Sequence, residues 1–556
     1  MNETVADTSQ ISFFPSSTIL QLLEAILLAR ATWLIIDCVK KWRRRCQLLE
    51  ALPCIKPKSK LLYHFSNIYA SPTVPKREHI LHVWQTMQDI AKAHHAKHGG
   101  FILTFLSPHY LPFLSKSGMF LTDYELVAQA MNHPRLQSKG TQYEAFSVFT
   151  KDSVLGSPTD HDWKRMRKLT SKAFSNRVMN NTNETAHRMM TSKVYPFLDQ
   201  LAKEGKVIDV KDFTSPLTLD LIGSVAFSYN FGGLDMLLNT NDCNGDLTSD
   251  TTTSKSNGSE KEGLYQIFSE IAEDLHTLLR VSKILPEGII KFFILRRFNP
   301  NVQLLNDTIT DVLHQRRSEA IKNEEKKEDL LAYLLETDEN GYPILSRQEL
   351  LGNIRSFLFA GHDTTAIAIT FALYELSRRP DIIQKLRLEV DPLFFQSDDV
   401  NKNAFPSYGQ LRSCSYLESV IREVLRLHAP AVISRIAKDS TEITLETSKH
   451  KMVIPANTNI NIAPWLTHRL DSTAPDEDPL VFDPERTVTK ADAYFPFAVG
   501  LRNCVGRELA LAEMRVVIAC MVHTYDFEPP IEEVVTFVQI TLNPNQCKMK
   551  FQRRKF

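Results

Sequence analysis

A long apolar segment at residues 346–379 places the strongest limit on how this chain can fold. Helix-favouring residues continue from a capping box formed by Ser346 and Glu349 to Pro380, which ends the pattern. A helix of about 33 residues spans roughly 50 Å, the width of a whole domain. Because its middle is apolar on nearly every side, we predict a central helix that other helices bury.

Polar residues interrupt this apolar helix near its centre, in the sequence Gly361-His362-Asp363-Thr364-Thr365. Glycine, aspartate and threonine are unfavourable inside a buried helix unless they have a compensating role. A threonine hydroxyl can bond back to the preceding turn and bend the helix. The segment is therefore either a polar kink that is satisfied internally or a place where a small ligand and water enter the helix.

A second pattern surrounds Cys504, which stands in a glycine-containing loop, Phe497 to Gly506, in front of a helical segment. Gly500 and Gly506 permit tight turns and a close approach to a flat ligand. The start of a helix favours a thiolate, and Arg502 offers a charge for a carboxylate. A lone intracellular cysteine is more often a small buried hydrophobe, and some are nucleophiles, so Cys504 alone does not decide its role.

Two shorter pairs have helical spacing. Glu423 and Arg426 lie three residues apart among apolar neighbours, and a buried pair of this kind requires a further partner. Trp163 and Arg167 lie four residues apart and, taken alone, indicate a surface cation–π pair.

Taken together, these patterns resemble the cytochrome P450 family. The segment F-x-x-G-x-R-x-C-x-G matches the family's haem-binding signature at every defined position, and A-G-x-D-T-T is similar to its oxygen-activation motif. In chain order the motifs are W-x-x-x-R at 163–167, A-G-x-D-T-T at 360–365, E-x-x-R at 423–426, P-E-R at 484–486 and the cysteine loop at 497–506. Thr487 stands where the family usually has phenylalanine. The resemblance covers most of the chain from about residue 60 to 556.

The resemblance implies a mainly α fold with small β-sheets, in one large catalytic domain at 51–556. It implies haem b (iron protoporphyrin IX) as cofactor and Cys504 as the iron ligand, whose thiolate favours O–O cleavage. The other residues implied at the haem are Trp163, Arg167, Arg435, Phe497, Arg502 and Gly506, with His161 as a weaker candidate. Glu423, Arg426 and Arg486 are implied to form a structural network.

For catalysis, the resemblance implies that Thr364 hydrogen-bonds dioxygen and its waters. Asp363 would relay protons from solvent as a general acid. His362 occupies the variable position of the motif, and we assign it no catalytic role. The candidate substrate-pocket residues are Phe357, Phe359, Ala360, Ala431, Val432 and Ile433.

Residues 1–50 are expected to carry a membrane anchor. Residues 18–39 are apolar over the ~20 positions that a span needs, and the basic cluster at 40–45 would keep the following chain in the cytosol. We therefore expect a single N-terminal anchor in the endoplasmic reticulum membrane; a helix lying on the membrane or on the protein is the alternative. The polar residues 239–262 cannot bury a core and are expected to form a disordered surface insertion.

The implied reaction inserts one oxygen atom of O2 into a lipophilic substrate such as a fatty acid, sterol, terpenoid or xenobiotic. Because the chain has no flavin-type fingerprint, NADPH would act indirectly, through NADPH–cytochrome P450 reductase and, as a further donor, cytochrome b5. A basic face is expected to dock this partner; it consists of Lys164, Arg165, Lys168 and Arg507. Lys plus Arg and Asp plus Glu both number 65, which excludes a strongly basic nucleic-acid-binding chain. The alternatives are a haem-thiolate isomerase or dehydratase, a non-catalytic haem sensor or carrier, and a membrane scaffold without haem.

Overall fold

A computed structural model gives the fold of most of the chain beyond residue 117. The residues that it describes are 102–105, 118–140, 143, 149–240, 262–281, 287–321, 329–395, 405–436, 442–447, 451–470, 478–487, 493–538 and 541–556, with scattered positions between 30 and 47. Most of the expected anchor at 18–39 and residues 241–261 of the expected insertion lie outside this set, so both stay predictions. The outer residues of that insertion, 239–240 and 262, belong to the helices on either side of it.

The structure confirms a mainly helical fold with small sheets. The helices are α1 Tyr124–Asn132, α2 His161–Lys172, α3 Asn176–Met189, α4 Tyr195–Glu204, α5 Val210–Phe227, α6 Gly233–Thr240, α7 Glu262–Val281, α8 Glu287–Ile321, α9 Leu330–Leu334, α10 Arg347–Ser377, α11 Pro380–Phe394, α12 Tyr408–Ser413, α13 Ser415–His428, α14 Pro464–His468 and α15 Arg507–Thr524. A single π-helical stretch, Met190–Val194, joins α3 to α4.

Eleven short strands form four small sheets within the described residues. The strands are β1 Ile102–Phe105, β2 Gly118–Leu121, β3 Ile208–Asp209, β4 Ile433–Ile436, β5 Ile443–Glu446, β6 Lys451–Ile454, β7 Asn459–Ile462, β8 Tyr525–Glu528, β9 Thr536–Val538, β10 Leu542–Pro544 and β11 Lys548–Arg553. The sheet orders are β1-β2-β7-β4, β3-β11-β8, β5-β6 and β9-β10, and the pair β2–β7 is parallel.

Helix α10 is the predicted central helix, with Ser346 as its N-cap. The Ser346 backbone N–H donates to Glu349 Oε2 at 2.8 Å, and the Glu349 N–H donates to Ser346 Oγ at 3.3 Å, which completes the capping box. Helices α5, α13 and α15 pack against α10. Among the described residues it is the one helix long and apolar enough to cross a membrane, but 78% of its most apolar window is buried, so its apolar surface belongs to the core.

The cysteine loop lies where two hydrophobic cores meet. The larger core surrounds α10 and α15, and Phe497 and Val505 pack against it. The smaller core lies between the four-stranded sheet and α1, and it contains Phe495. Ala498 and Val499 pack on this second core. The loop is therefore fixed from two sides by apolar contacts.

A buried ion network is built on α13. Arg426 Nε donates to Glu423 Oε2 at 2.7 Å, and Arg426 Nη2 donates to Glu423 Oε1 at 2.8 Å. Arg486 Nε donates to Glu423 Oε1 at 3.3 Å, so the structure brings together the three residues that the sequence grouped. Each of them is less than 5% exposed. A buried pair is tolerated when further hydrogen bonds satisfy its charges, and the carbonyls of Pro479 and Val481 accept from Arg426.

His468 connects this network to the cysteine loop. Its carbonyl accepts from Arg426 Nη1 at 2.9 Å, and its Nδ1 lies 3.2 Å from the Arg426 carbonyl. Its Nε2 accepts the Phe495 backbone N–H at 3.0 Å. These contacts require the neutral tautomer protonated on Nδ1, and burial lowers the pKa of His468 to about 3. The start of the cysteine loop is thus held by the same network that fixes α13.

We predict that Glu423→Ala lowers the free energy of unfolding by about 3–5 kcal/mol, because it leaves two buried guanidinium groups without their carboxylate. Urea unfolding of the full chain measures this loss. The control is Glu485→Ala, one residue before Arg486. The Glu485 side chain is 60% exposed in its pair with Lys385, so its removal should change the free energy of unfolding little. Equal urea midpoints for the two variants would contradict a supporting role for the network.

Candidate active site

Backbone hydrogen bonds shape the cysteine loop and hold Cys504 in front of α15. The Cys504 N–H donates to the Phe497 carbonyl at 2.9 Å, and the Asn503 N–H donates to the Gly500 carbonyl at 3.1 Å. Gly500 has a φ of +76°, and a Cβ there would lie 2.8 Å from Asn132 Oδ1. Only glycine suits both the left-handed backbone and this close approach. The loop therefore ends at a cysteine just ahead of a helix N-terminus.

Cys504 and Ala360, at the centre of α10, are both accessible side chains in otherwise buried surroundings. Cys504 is accessible, although surrounding protein desolvates it and raises the pKa of its thiol. Ala360 is likewise exposed in the middle of the buried helix, while Leu358 and Phe359 beside it are buried. A side chain that is accessible yet enclosed by protein lines an internal cavity. The two patterns that the sequence singled out thus both contribute cavity walls.

Lys139 lies beside Cys504 and was missed by the sequence analysis. It forms an isolated β-bridge with Arg435, and its ammonium group lies 4.2 Å from the centre of the Tyr143 ring. Burial, together with Arg435 and Arg502, holds the pKa of Lys139 well below its ordinary value. Among the charges that act on Cys504, Lys139 favours the thiolate. A lone lysine in a loop carries no periodic or motif signal that would have indicated this position.

Arg435 carries the clearest sign of a missing ligand. It is 1% exposed, and its Nη1 donates to the Ser434 carbonyl at 3.0 Å. Its Nε and Nη2 have no hydrogen-bond partner among the described residues. Burying unpaired guanidinium N–H groups costs several kcal/mol, so this site requires an acceptor that the described protein atoms do not supply.

Arg167 and Arg502 reach the same region with part of their donors already engaged. Arg167 Nη1 donates to the Asn503 carbonyl at 3.0 Å, next to Cys504. Arg502 donates to Thr159 Oγ1 at 2.7 Å and to two backbone carbonyls. A guanidinium group has five N–H donors, so two remain on Arg502. Among the described residues, the positive charges near Cys504 therefore outnumber the carboxylates that pair with them.

Trp163 contributes to the site through its ring in this structure. The Arg502 guanidinium carbon lies 4.1 Å from the centre of the indole ring. The indole Nε1 donates to the Val154 carbonyl at 3.0 Å, and the cation over the ring is Arg502, where the spacing indicated Arg167. His161 is not brought to the site, because its side chain is 92% exposed beside Asp162.

The residues present fit a flat, anionic, metal-containing ligand. Lys139, Arg435, Arg167 and Arg502 offer donors to carboxylates, and an accessible thiol lies among them. A soft sulfur ligand suits iron, and metal coordination deprotonates a thiol. Phe497 and Gly506 lie on either side of Cys504 in sequence, and the Gly506 N–H lowers the pKa of that thiol.

The polar centre of α10 is satisfied partly within the helix. Thr364 Oγ1 donates to the Ala360 carbonyl at 2.8 Å, the back-bond that the sequence analysis considered. The His362 carbonyl accepts a further bond from Thr218 of α5 at 2.9 Å. The helix continues through this segment, so the polar residues open its surface to the cavity without ending it.

Asp363 is held by partners from two other elements. Lys211 Nζ lies 3.2 Å from Asp363 Oδ1, and Thr541 Oγ1 donates to Asp363 Oδ2 at 2.7 Å. Burial alone raises the pKa of Asp363, but Lys211, His362 and Thr541 outweigh it and hold that pKa below its ordinary value. Asp363 is therefore ionised at neutral pH.

The six candidate pocket residues differ in what they contact. The ring centres of Phe357 and Phe174 lie 6.3 Å apart, and those of Phe359 and Phe149 lie 6.1 Å apart within an aromatic cluster. Both rings are therefore part of the helical core. Ile433 is only 8% exposed. Ala360, Ala431 and Val432 are the more accessible members of the set.

Glu513 on α15 is a second residue that the sequence analysis missed. It is 1% exposed, and neither carboxylate oxygen has a well-formed hydrogen bond to the described residues. Burial raises its pKa well above the ordinary value, although the Thr365 hydroxyl beside it acts in the opposite direction. Its acidic identity inside an apolar helix was the available signal.

Comparisons with known proteins agree with this geometry. The family model described as Cytochrome P450 matches residues 77–551. Cytochrome P450 3A29 of Sus scrofa is 26% identical over 421 residues, which cover 72% of this chain and 76% of that protein. Cytochrome P450 3A12 of Canis lupus familiaris is 26% identical over 427 residues, 69% of this chain and 74% of that protein. Cytochrome P450 monooxygenase 205 of Postia placenta is 26% identical over 461 residues, 77% of this chain and 80% of that protein.

We predict that Glu513→Gln stabilises the protein increasingly as pH rises. A carboxyl whose folded pKa is raised contributes most to stability below its unfolded pKa, about 4.3, and that contribution is lost as pH rises towards the folded value. Glutamine cannot ionise, so the gain in melting temperature should be larger at pH 8 than at pH 5. Glu418→Gln is the control, because it breaks the pair with Arg515 and should destabilise at both values. A gain that does not change with pH would contradict a neutral Glu513.

Proposed function

This chain belongs to the cytochrome P450 family of monooxygenases, and we propose that its reaction is the insertion of one oxygen atom from O2 into a lipophilic substrate, with electrons from a separate reductase. The observation that carries this proposal is the combination of an accessible Cys504 with the unpartnered buried guanidinium N–H groups of Arg435. The first suits the iron of a haem and the second suits its carboxylates.

Haem b would be held by residues from four parts of the chain. Cys504 would bind the iron, and Lys139, Arg167, Arg435 and Arg502 would pair with the carboxylates. Trp163 would support Arg502 through the stacked ring, and Phe497 would shield the sulfur from water. When bound, the haem supplies the electron transfer and oxygen chemistry that side chains lack. The protein supplies orientation, proton delivery and exclusion of water.

Proton delivery would rest on Asp363 and Thr364. Asp363 is ionised but anchored, so it can take a proton from solvent on one carboxylate oxygen and pass it inward as a general acid. The Thr364 hydroxyl donates its proton to the Ala360 carbonyl, and its oxygen keeps lone pairs that can accept from a water. This acid–alcohol pair supports monooxygenation over isomerisation or dehydration, which need no proton relay to oxygen.

The substrate class follows from the cavity wall. Ala360, Ala431, Val432 and Ile433 offer only aliphatic side chains, which favour an apolar ligand such as a fatty acid, sterol or terpenoid. We further propose that residues 51–556 form the catalytic domain, behind a membrane anchor within residues 1–50 in the endoplasmic reticulum.

The reductase would dock at the face that carries the cysteine loop. Lys164, Lys168 and Arg507 are exposed there, and Leu501 is a 61% exposed apolar residue in the loop itself. Arg165 is paired with Asp162 and Glu349, so it contributes less free charge than the sequence suggested. Steering by such a face should weaken as ionic strength rises.

We predict that the purified, reduced protein binds carbon monoxide with the absorption band of a thiolate-ligated haem, and that Cys504→Ser loses this band. The serine hydroxyl cannot supply the same electron density to iron. Cys520→Ala is the matched control, since Cys520 is fully buried in α15 and should be dispensable for the band. The thiolate band in Cys504→Ser, or its absence from the wild-type protein, would contradict the assignment.

We also predict reductase-dependent turnover of an apolar compound. Dodecanoic acid, cholesterol and limonene represent the three substrate classes; each is screened for a binding-induced spectral shift and then for oxygenated product with NADPH and NADPH–cytochrome P450 reductase. Product that carries label from ¹⁸O2 supports the proposal. Conversion without reductase or O2 would instead indicate an isomerase or dehydratase.

A further inference from the structure

Four polar side chains, one of which is Asp363 of α10, form a closed hydrogen-bonded ring. Lys211 Nζ lies 3.2 Å from Asp363 Oδ1 and donates to Asn543 Oδ1 at 2.5 Å. Asn543 Nδ2 donates to Thr541 Oγ1 at 2.9 Å, and Thr541 Oγ1 donates to Asp363 Oδ2 at 2.7 Å. Both oxygens of the carboxylate are therefore engaged, and each donor in the ring is oriented by the next residue.

Half of this ring comes from the hairpin formed by β9 and β10, which no sequence motif indicated. Thr541 is 4% exposed and Asn543 is 3% exposed. The hairpin does not need their side chains for its own pairing, because the backbones of Leu542 and Val538, Asn543 and Phe537, and Pro544 and Thr536 are already in register. Buried hydroxyl and amide groups cost free energy unless they are paired, and their pairing here is directed towards Asp363 and Lys211.

The same hairpin also contacts the proposed substrate wall. Thr541 forms an isolated β-bridge with Ala431, and the Leu542 N–H donates to the Pro430 carbonyl at 2.7 Å. Thr541 thus meets the wall through its backbone and the acid through its hydroxyl. A shift of Ala431 on ligand binding would be transmitted to Asp363 through this single residue.

We propose that Thr541 and Asn543 are positioning residues for proton delivery, which orient the Asp363 carboxylate and hold Lys211 against it. This inference rests on the proposed function, because it concerns the acid of that reaction. Neither residue is in a position to be the acid itself, since neither titrates near neutral pH. Their contribution is to fix the orientation of the Asp363 carboxylate and how strongly it holds a proton.

The charged and titratable groups near Asp363 set the sign of the expected effect. Lys211 and Asp212 lie on α5, His362 lies on α10 itself and Tyr265 lies on α7. The Lys211 ammonium lowers the pKa of Asp363. Without Asn543, Lys211 is no longer held against the carboxylate, so the pKa of Asp363 should rise. Loss of the Thr541 hydroxyl removes a hydrogen bond to the carboxylate and acts in the same direction.

The first test uses turnover of whichever of the three screened compounds gives the highest product rate. Thr541→Val, which keeps the shape of the side chain, should lower kcat and product per NADPH about tenfold with KM little changed, and it should increase the solvent isotope effect on kcat. Thr541→Ser restores the hydroxyl and should recover most of both. Asn543→Ala should behave like Thr541→Val. Asn545→Ala is the matched control, because among the described residues Asn545 bonds to Val535 alone and lies outside the ring.

A double-mutant cycle separates positioning from general support of the fold. Asp363→Asn should lower kcat further than Thr541→Val, and adding Thr541→Val to it should cost little more, because the two residues act as one unit. Additive losses, or equal activity of Thr541→Val and Thr541→Ser, would overturn the proposal.

A second readout requires no substrate. The contribution of Asp363 to stability is present above the unfolded pKa of about 3.9 and is lost as pH falls through the lower folded value. Thr541→Val and Asn543→Ala should therefore lose stability, relative to wild type, at pH 7 more than at about pH 2.5, which lies below the unfolded pKa, whereas Asn545→Ala should show no such dependence. If no compound turns over, the proposed substrate class fails while this readout still decides whether the ring holds Asp363.

Discussion

The need to bury α10 along almost its whole length determines the rest of the architecture. An apolar helix of 31 residues leaves almost no solvent face, so α5, α13 and α15 must cover it. Helix α5 carries Lys211, α15 carries Glu513, and α13 carries the buried ion network. The same constraint makes its polar centre conspicuous. Asp363 and Thr364 remain tolerable there because neighbouring elements supply partners and because the helix borders a cavity at Ala360.

Electrostatics inside this fold follow one rule, which is that buried charge is either paired or suppressed. Glu423 is shared by two arginines, and His468 stays neutral with both ring nitrogens engaged. Burial raises the pKa of Glu513 well above its ordinary value. Arg435 departs from the rule, since its Nε and Nη2 have no hydrogen-bond partner among the described residues.

Local sequence patterns predicted the features that depend on periodicity or on fixed spacing. The predicted helix at 346–379 corresponds to α10 at 347–377, and the E-x-x-R and P-E-R segments meet as three buried residues. Lys139, Thr541 and Asn543 were not predictable in this way, because each acts through a contact between segments far apart in the chain. Trp163 illustrates the remaining limit, since its spacing indicated a cation–π pair with Arg167, whereas the cation over its ring is Arg502 from the distant cysteine loop.

The small sheet β3-β11-β8 joins an early segment of the chain to its last strand, and the residues around Asp363 come from both of these regions. Strand β3 leads directly into α5, where Lys211 lies, and it pairs with β11, which follows the hairpin that carries Thr541 and Asn543. A ribosome-bound chain that already contains α10 and the cysteine loop still lacks residues 541–553. Until these residues emerge, Asp363 lacks the hydrogen bond from Thr541, and Lys211 lacks its acceptor on Asn543. Asp363 therefore acquires its final environment only after the cysteine loop has been made.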